Sequence, residues 1–232
     1  MKKILIKFKF FYFFYKILKI FKNSKKKMHL GEFGEDVFVR RFFKKTSKGF
    51  YVDVGAYHPT KGSLTYDLYK NNWKGMNIDL SKISIDLFNI SRPKDINLRT
   101  AVTDFDGKTF FYENSPINQQ NSLIENSNAK KIEIDCYKLN TILDNHKIQK
   151  VDYLNIDAEG NDFKVISTFD FKKYKPSLVS IEYNDYNFEN LIGSDINILM
   201  EKNGFKIISK FGVTCFYTHK ENIDKIEEFM RV

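Results

Sequence analysis

The sequence predicts an α/β domain built on a mostly parallel sheet with helices on both faces. Three observations carry this. A strand, a glycine turn and a helix follow one another over 49–70, and the same unit recurs over 75–90. Strands joined by helix-length connections run parallel, and a parallel sheet is covered on both sides. Further on, the apolar runs VDYLNI (151–156) and LVSIEY (178–183) flank a helical stretch, and two short strands linked around Gly212 close the chain as an antiparallel hairpin.

In order along the chain, Phe33, Val37, Phe38 and Phe42 recur at helical spacing and predict a first helix leading into the core. GFYVDV (49–54) is a strand ending at Gly55, and Leu64 and Leu68 mark the helix after it. GMNIDL (75–80) is the second strand, Ser81 an N-cap, and Ile83, Leu87 and Ile90 the buried side of a helix that stops before Pro93. A third strand is expected from Ile96 to Val102. Asp106-Gly107 signals a turn before a Phe110–Tyr112 strand, and 114–129 reads as a polar Asn/Gln/Ser loop. Ile132, Ile134 and Cys136 alternate as in a half-buried strand. A helix is expected over 162–169, and Ile192, Ile196, Leu199 and Met200 predict another that ends at Gly204.

The chain has 232 residues and 42% apolar content, enough for one catalytic domain. Its formal charge is +9, but the excess is local: residues 1–27 hold ten of the 38 basic residues and no acid, leaving 28 basic against 29 acidic residues in the rest. A near-neutral body argues against a nucleic-acid partner. Residues 1–27 are therefore read as a separate basic, aromatic segment containing a helix, and 28–232 as the catalytic domain. Lys7, Lys9, Lys16 and Lys19 interrupt every window long enough to span a bilayer, and no small-residue cleavage site follows. Two readings stay open for the segment: peripheral contact with the inner face of a membrane, rings in the acyl boundary and lysines on anionic lipid, or an extra helix packed on the domain. Cys136 and Cys215 show no metal-ligand or disulfide pattern and are expected to be reduced, in a cytoplasmic protein.

The chemistry gathers at strand ends. In DVGAYHPTKGS (53–63), Gly55 stands where a bound cofactor approaches the backbone. The next glycine is Gly62, so the G-x-G-x-x-G dinucleotide fingerprint is absent, which counts against a nicotinamide oxidoreductase. Asp79 ends the second strand, where a carboxylate can accept both ribose hydroxyl protons; a solvated acid at a helix start is the plainer alternative. YLNIDAEGND (153–162) places Asp157 and Glu159 at the carboxyl end of another strand, and Glu182 ends the next. Ligands of open α/β sheets bind at that rim, so these acids are candidate functional groups.

Together these stretches resemble the FkbM-type methyltransferase family: GEFGED (31–36), YVDVGA (51–56), WKGMNID (73–79), DINLRTAV (95–102), VDYLNIDAEGNDFKVI (151–166) and KPSLVSIE (175–182) occur in the family's order. The resemblance implies a Rossmann-like class I methyltransferase fold, seven strands with the last inserted antiparallel, and S-adenosylmethionine as cofactor. It implies that Asp53, Gly55 and Ala56 line the methionine end, Asp79 the ribose, Ala101 and Val102 the adenine side, with Asp157 also near the cofactor. One departure is plain: the family commonly has Glu-Pro after the second strand, and this chain has Asp79-Leu80.

Methyl transfer from a sulfonium depends on collinear positioning, and a hydroxyl acceptor gains from a base. Asp157, Glu159, Glu182 and His58 are the candidates in that order. Asp157, Glu159 and Glu182 also offer hard oxygens that suit Mg²⁺, but such sites lean on substrate and water, and the reading assigns no metal. By resemblance the acceptor is a hydroxyl of a sugar, glycan or small metabolite, with the polar loop 114–129 holding its contacts. The alternatives are a nicotinamide-dependent oxidoreductase and a membrane-associated binding module without catalysis.

Overall fold

The structure is a computed structural model that describes residues 9–24, 31–114, 121–224 and 226. A seven-stranded sheet runs in the order β3-β2-β1-β7-β8-β10-β9, with β1 Phe50–Val54, β2 Lys74–Asp79, β3 Ile96–Arg99, β7 Tyr153–Ile156, β8 Leu178–Glu182, β9 Phe205–Phe211 and β10 Thr214–His219. All neighbours are parallel except β10, which slots antiparallel between β8 and β9. That is the class I methyltransferase strand order, with the closing hairpin as its signature.

Alternation along the strands explains why both faces are covered. Val52, Val54, Met76, Ile78, Leu154, Ile156, Val179 and Ile181 point into one core, which Leu139, Ile142, Val165, Ile166 and Met200 complete from the helices. Their neighbours Tyr51, Tyr153, Leu178 and Phe216 point the other way and pack on Val39, Phe43, Leu64 and Leu68. Cys136 and Cys215 are buried and free.

The helix α1, Lys9–Ser24, lies outside these cores; α2 is Glu35–Phe42, α3 Tyr66–Lys70 and α4 Lys82–Ser91. Ser81 caps α4 as expected, its hydroxyl accepting from the Ser84 amide at 3.2 Å. The boundary expected at residue 27 and part of the polar loop, 115–120, lie outside the described residues.

Two elements differ from the sequence expectation. The third strand is broken at Thr100: β3 ends at Arg99, and β4 (Ala101–Val102) leaves for a second sheet, β4-β6-β5, with β5 Gly107–Glu113 and β6 Lys130–Tyr137. The Thr100 hydroxyl donates to the Asp135 carbonyl at 2.7 Å and fixes the crossing. The late helix is also interrupted. Phe188–Ile192 stops at Gly193, and Ser194, accepting from the Asn197 amide, caps a new helix at Asp195–Lys202. Short-range periodicity cannot see either break, because both halves keep the same apolar spacing.

Candidate active site

Register assembles the site. Val54 pairs with Ile78 and with Ile156, and Ile156 pairs with Ile181, all in parallel. The next residues, Gly55, Asp79, Asp157 and Glu182, therefore share one rim of the sheet. Two adjoining cavities open there. One, about 660 Å³ and partly open to solvent, has walls that include Gly55, Tyr57, Asp79, Val102, Asn121 and Asp157. The other, about 780 Å³, has walls that include Glu32, Glu35, Asp53, Ala56, Asp157 and Glu182. Gly55, Tyr57, Asp157 and Glu159 belong to both.

Gly55 is required by the chain itself. Its φ is +78°, and an added Cβ would lie 1.7 Å from the Asp157 carbonyl oxygen. Close approach of a cofactor is thus a second reason for glycine, while the first is contact between the turns after β1 and β7. The Gly55 and Ala56 amides both donate to the Ile78 carbonyl, which ties that turn to β2 as well.

Asp79 is half-buried on the cavity wall, not a solvated acid. One oxygen accepts from the Tyr57 amide and the other from the Ser81 amide, each at 2.7 Å. The Ser84 side chain also bears on this carboxylate, so of about four acceptor sites one is left for a hydroxyl. Burial pushes its pKa up to about 6.

Asp53 is wired from behind. Its oxygens accept from Thr65 at 2.7 Å and from Asn155 at 2.9 Å. Thr65 in turn accepts from Arg92 at 2.8 Å. The Arg92 guanidinium is fully buried; it also donates to Ser63 and the Pro59 carbonyl, so it holds the whole 59–65 loop against the sheet. Burial raises Asp53 above the usual carboxylate range.

The acids of the second cavity are mutually perturbed. Burial first, then the charge of Glu182, raises Asp157 well above its ordinary value. The Asp157 residue is exposed at the cleft, and the neighbouring carboxylates disfavour its charged form. Burial also raises Glu182, whose Oε2 is buried with no hydrogen-bond partner among the described residues. Glu159, in a left-handed backbone conformation at φ 50°, is pushed up to about 7 by burial and then by Glu182. Asp162 accepts from the Ala158 and Gly160 amides and so shapes the loop that presents both acids. Among the described residues no three His, Cys, Asp or Glu side chains are placed to share a metal ion.

The structure contradicts a base role for His58. Its ring is buried, Nδ1 accepts from the Thr60 and Lys61 amides at 3.1 and 3.0 Å, and burial pulls its pKa down to about 3. It is a neutral turn-former and lines neither cavity. Ala101 is likewise packed away in the small core of the second sheet, while its neighbours Thr100 and Val102 reach the first cavity.

A family model described as the methyltransferase FkbM domain matches residues 53–207, well over half of the chain. The chain belongs to this FkbM methyltransferase family. A search of the curated proteins finds no match. Among solved structures, the chain is similar to a TehB-like SAM-dependent methyltransferase from Corynebacterium glutamicum at 8% identity and a TM-score of 0.45, covering 89% of this chain and 96% of that one.

The cofactor of an FkbM methyltransferase is S-adenosylmethionine, and the residues of this FkbM domain fit it. The first cavity pairs the Asp79 carboxylate, an acceptor suited to a ribose hydroxyl, with apolar walls from Leu80, Val102 and Leu123. Into it faces Asn121, a buried side chain whose amide nitrogen and oxygen both lack a hydrogen-bond partner among the described residues. A buried carboxamide left unsatisfied is costly, and a donor and acceptor side by side match an adenine edge. The second cavity is acidic, which suits a sulfonium and an ammonium.

Sequence reading did not reach Asn121, Arg92, Thr65 or Asn155. Arg92 carried the one available signal, an arginine immediately before Pro93 at a helix end; the others are ordinary polar letters until the fold places them.

Proposed function

We propose that this protein is an O-methyltransferase acting on a hydroxyl of a sugar, glycan or small metabolite, with the Asp157–Glu182 pair as the proton acceptor. The observation that carries the reading is Glu182 Oε2: an unpartnered carboxylate oxygen on the acidic cavity, beside the turn shared with the cofactor cavity. S-adenosylmethionine, when bound, supplies a methyl group on a positively charged sulfur. The chain's part is then to place an acceptor oxygen in line and receive its proton.

Asp53 and Asp79 hold the two ends of the cofactor from opposite sides of Gly55, and fixing both ends limits where the methyl can point. With both carboxyls raised, the Asp157–Glu182 pair favours holding one proton between them, which leaves one negative charge to accept another. A hydroxyl placed against this pair would give up its proton there while its oxygen takes the methyl, the sulfur–methyl bond breaking so that the sulfonium would leave as the neutral thioether of S-adenosylhomocysteine. Glu159, with a pKa of about 7, is half ionised near neutrality and adds negative potential at the cavity mouth. Such positioned bases contribute about 10²–10⁴-fold.

The test is S-adenosylhomocysteine release from the full chain with panels of sugars, glycans, hydroxylated metabolites, amines and carboxylates. Turnover confined to hydroxyl acceptors supports the reading, and turnover of amines alone overturns it. Binding of S-adenosylmethionine with no turnover on any panel would favour the binding module without catalysis.

A further inference from the structure

Helix α1 is mounted inside out. An amphipathic helix on a soluble domain turns its apolar stripe inward and its charges to water. Here the inward face is polar: the Tyr12 hydroxyl donates to Asp86 on α4 at 2.7 Å, and the Lys16 ammonium lies 4.0 Å from the same carboxylate with its side chain only 16% exposed. Phe13, Phe14 and Leu18 face outward instead, 50%, 47% and 66% exposed. Three large apolar side chains on one helix face are a patch that needs a cover.

We propose that this face of α1 docks the protein on an anionic lipid surface, with Phe13, Phe14 and Leu18 in the acyl boundary and the net positive charge of the 1–27 segment favouring anionic headgroups. Charge singles out lipid as the occupant. Residues 1–27 hold ten lysines and no acid, so the segment repels a second copy of itself and is drawn to a negative layer. Aromatic rings interleaved with lysines suit the interfacial zone, where ring and ammonium each find their own medium. No helix among the described residues is long and apolar enough to cross a membrane, so the contact is peripheral.

The other side of α1 lies near the turn after β1. Lys19 acts electrostatically on His58 and Tyr15 on Tyr57, and Tyr57 lines both cavities. This inference is independent of the acceptor chemistry above.

The experiment uses the full chain in co-sedimentation with phosphatidylcholine vesicles, with and without phosphatidylglycerol. Binding is expected only with the anionic lipid, weakening as salt is added. The Phe13→Ser/Phe14→Ser/Leu18→Ser variant should lose about tenfold or more in vesicle affinity while keeping its affinity for S-adenosylhomocysteine, which shows it folded. In Phe13→Trp, indole emission should shift to the blue on anionic vesicles, against the constant background of the buried Trp73. Equal binding of wild type and triple variant, an unshifted spectrum, or a dimer in light scattering that the triple variant dissociates would each overturn the proposal.

Discussion

Replacing Asp79 with asparagine separates cofactor recognition from fold stability, because this side chain bonds two backbone amides, is proposed to hold the ribose, and the two effects differ in size. As carboxylate acceptors, its oxygens make charge-assisted bonds worth about 1.5–3 kcal/mol each. An amide keeps one acceptor oxygen and loses the other, so the ribose contact should weaken by about 1.5–3 kcal/mol, a rise in Kd of about 10- to 150-fold. On the stability side, the new NH₂ must face the amide of either Tyr57 or Ser81, a loss of about 1–3 kcal/mol. Opposing it, burial has raised Asp79 from 3.8 to about 6, and at about 1.4 kcal/mol per unit the ionised wild type carries a penalty of similar size at neutral pH that the amide lacks. The melting temperature of the free protein should therefore move by only a few degrees while binding collapses.

The pH dependence follows with a definite sign. A carboxyl with a raised folded pKa makes the native state bind the extra proton, so its share of stability is greatest below about pH 4 and declines as pH rises through 6. Cofactor affinity runs the other way in the wild type, climbing up to about tenfold per unit until Asp79 is ionised, and the part due to Asp79 should vanish in the variant. Calorimetric titration with S-adenosylhomocysteine across pH 5–8, alongside thermal melts, measures both. A variant Kd within about threefold of wild type, or an unchanged pH profile, would refute the ribose assignment.

Asn121→Leu should raise the melting temperature of the cofactor-free protein, since it removes two unsatisfied buried polar atoms worth about 1–3 kcal/mol, and should weaken S-adenosylhomocysteine binding; both changes going the same way would count against adenine recognition. Gly55→Ala is expected to lose about 2 kcal/mol or more in denaturant unfolding, because the methyl meets a backbone carbonyl and φ is positive; a smaller loss would mean the turns after β1 and β7 are not in contact. Glu182→Gln should lower kcat about 10²-fold or more on a hydroxyl acceptor with little effect on cofactor affinity, whereas an equal loss in affinity would place Glu182 in cofactor binding. His58→Gln should leave the shape of the pH–rate profile unchanged, and the loss of a limb would restore the histidine as a base.

The sequence by itself determined the layout. Alternating apolar letters, helix-length connections and the glycine after β1 specify a parallel two-faced sheet, because side-chain period and chain reach are local properties. Parallel register then obliges residues 55, 79, 157 and 182 to meet at one rim, so the acids read from strand ends were legible before any coordinates. Tertiary structure decided which of these groups are usable. Glu159 and His58 both read as candidate bases, the histidine last, yet burial and amide bonds hold His58 neutral while burial and then neighbouring carboxylates push Glu159 up to about 7. Asn121 becomes significant only because the fold buries it with no partner among the described residues, and the aromatic face of α1 only because Tyr12 and Lys16 turn their polar groups to Asp86. Desolvation and long-range pairing depend on what surrounds a side chain, and that surrounding is assembled from residues too far apart in sequence for any local pattern to encode.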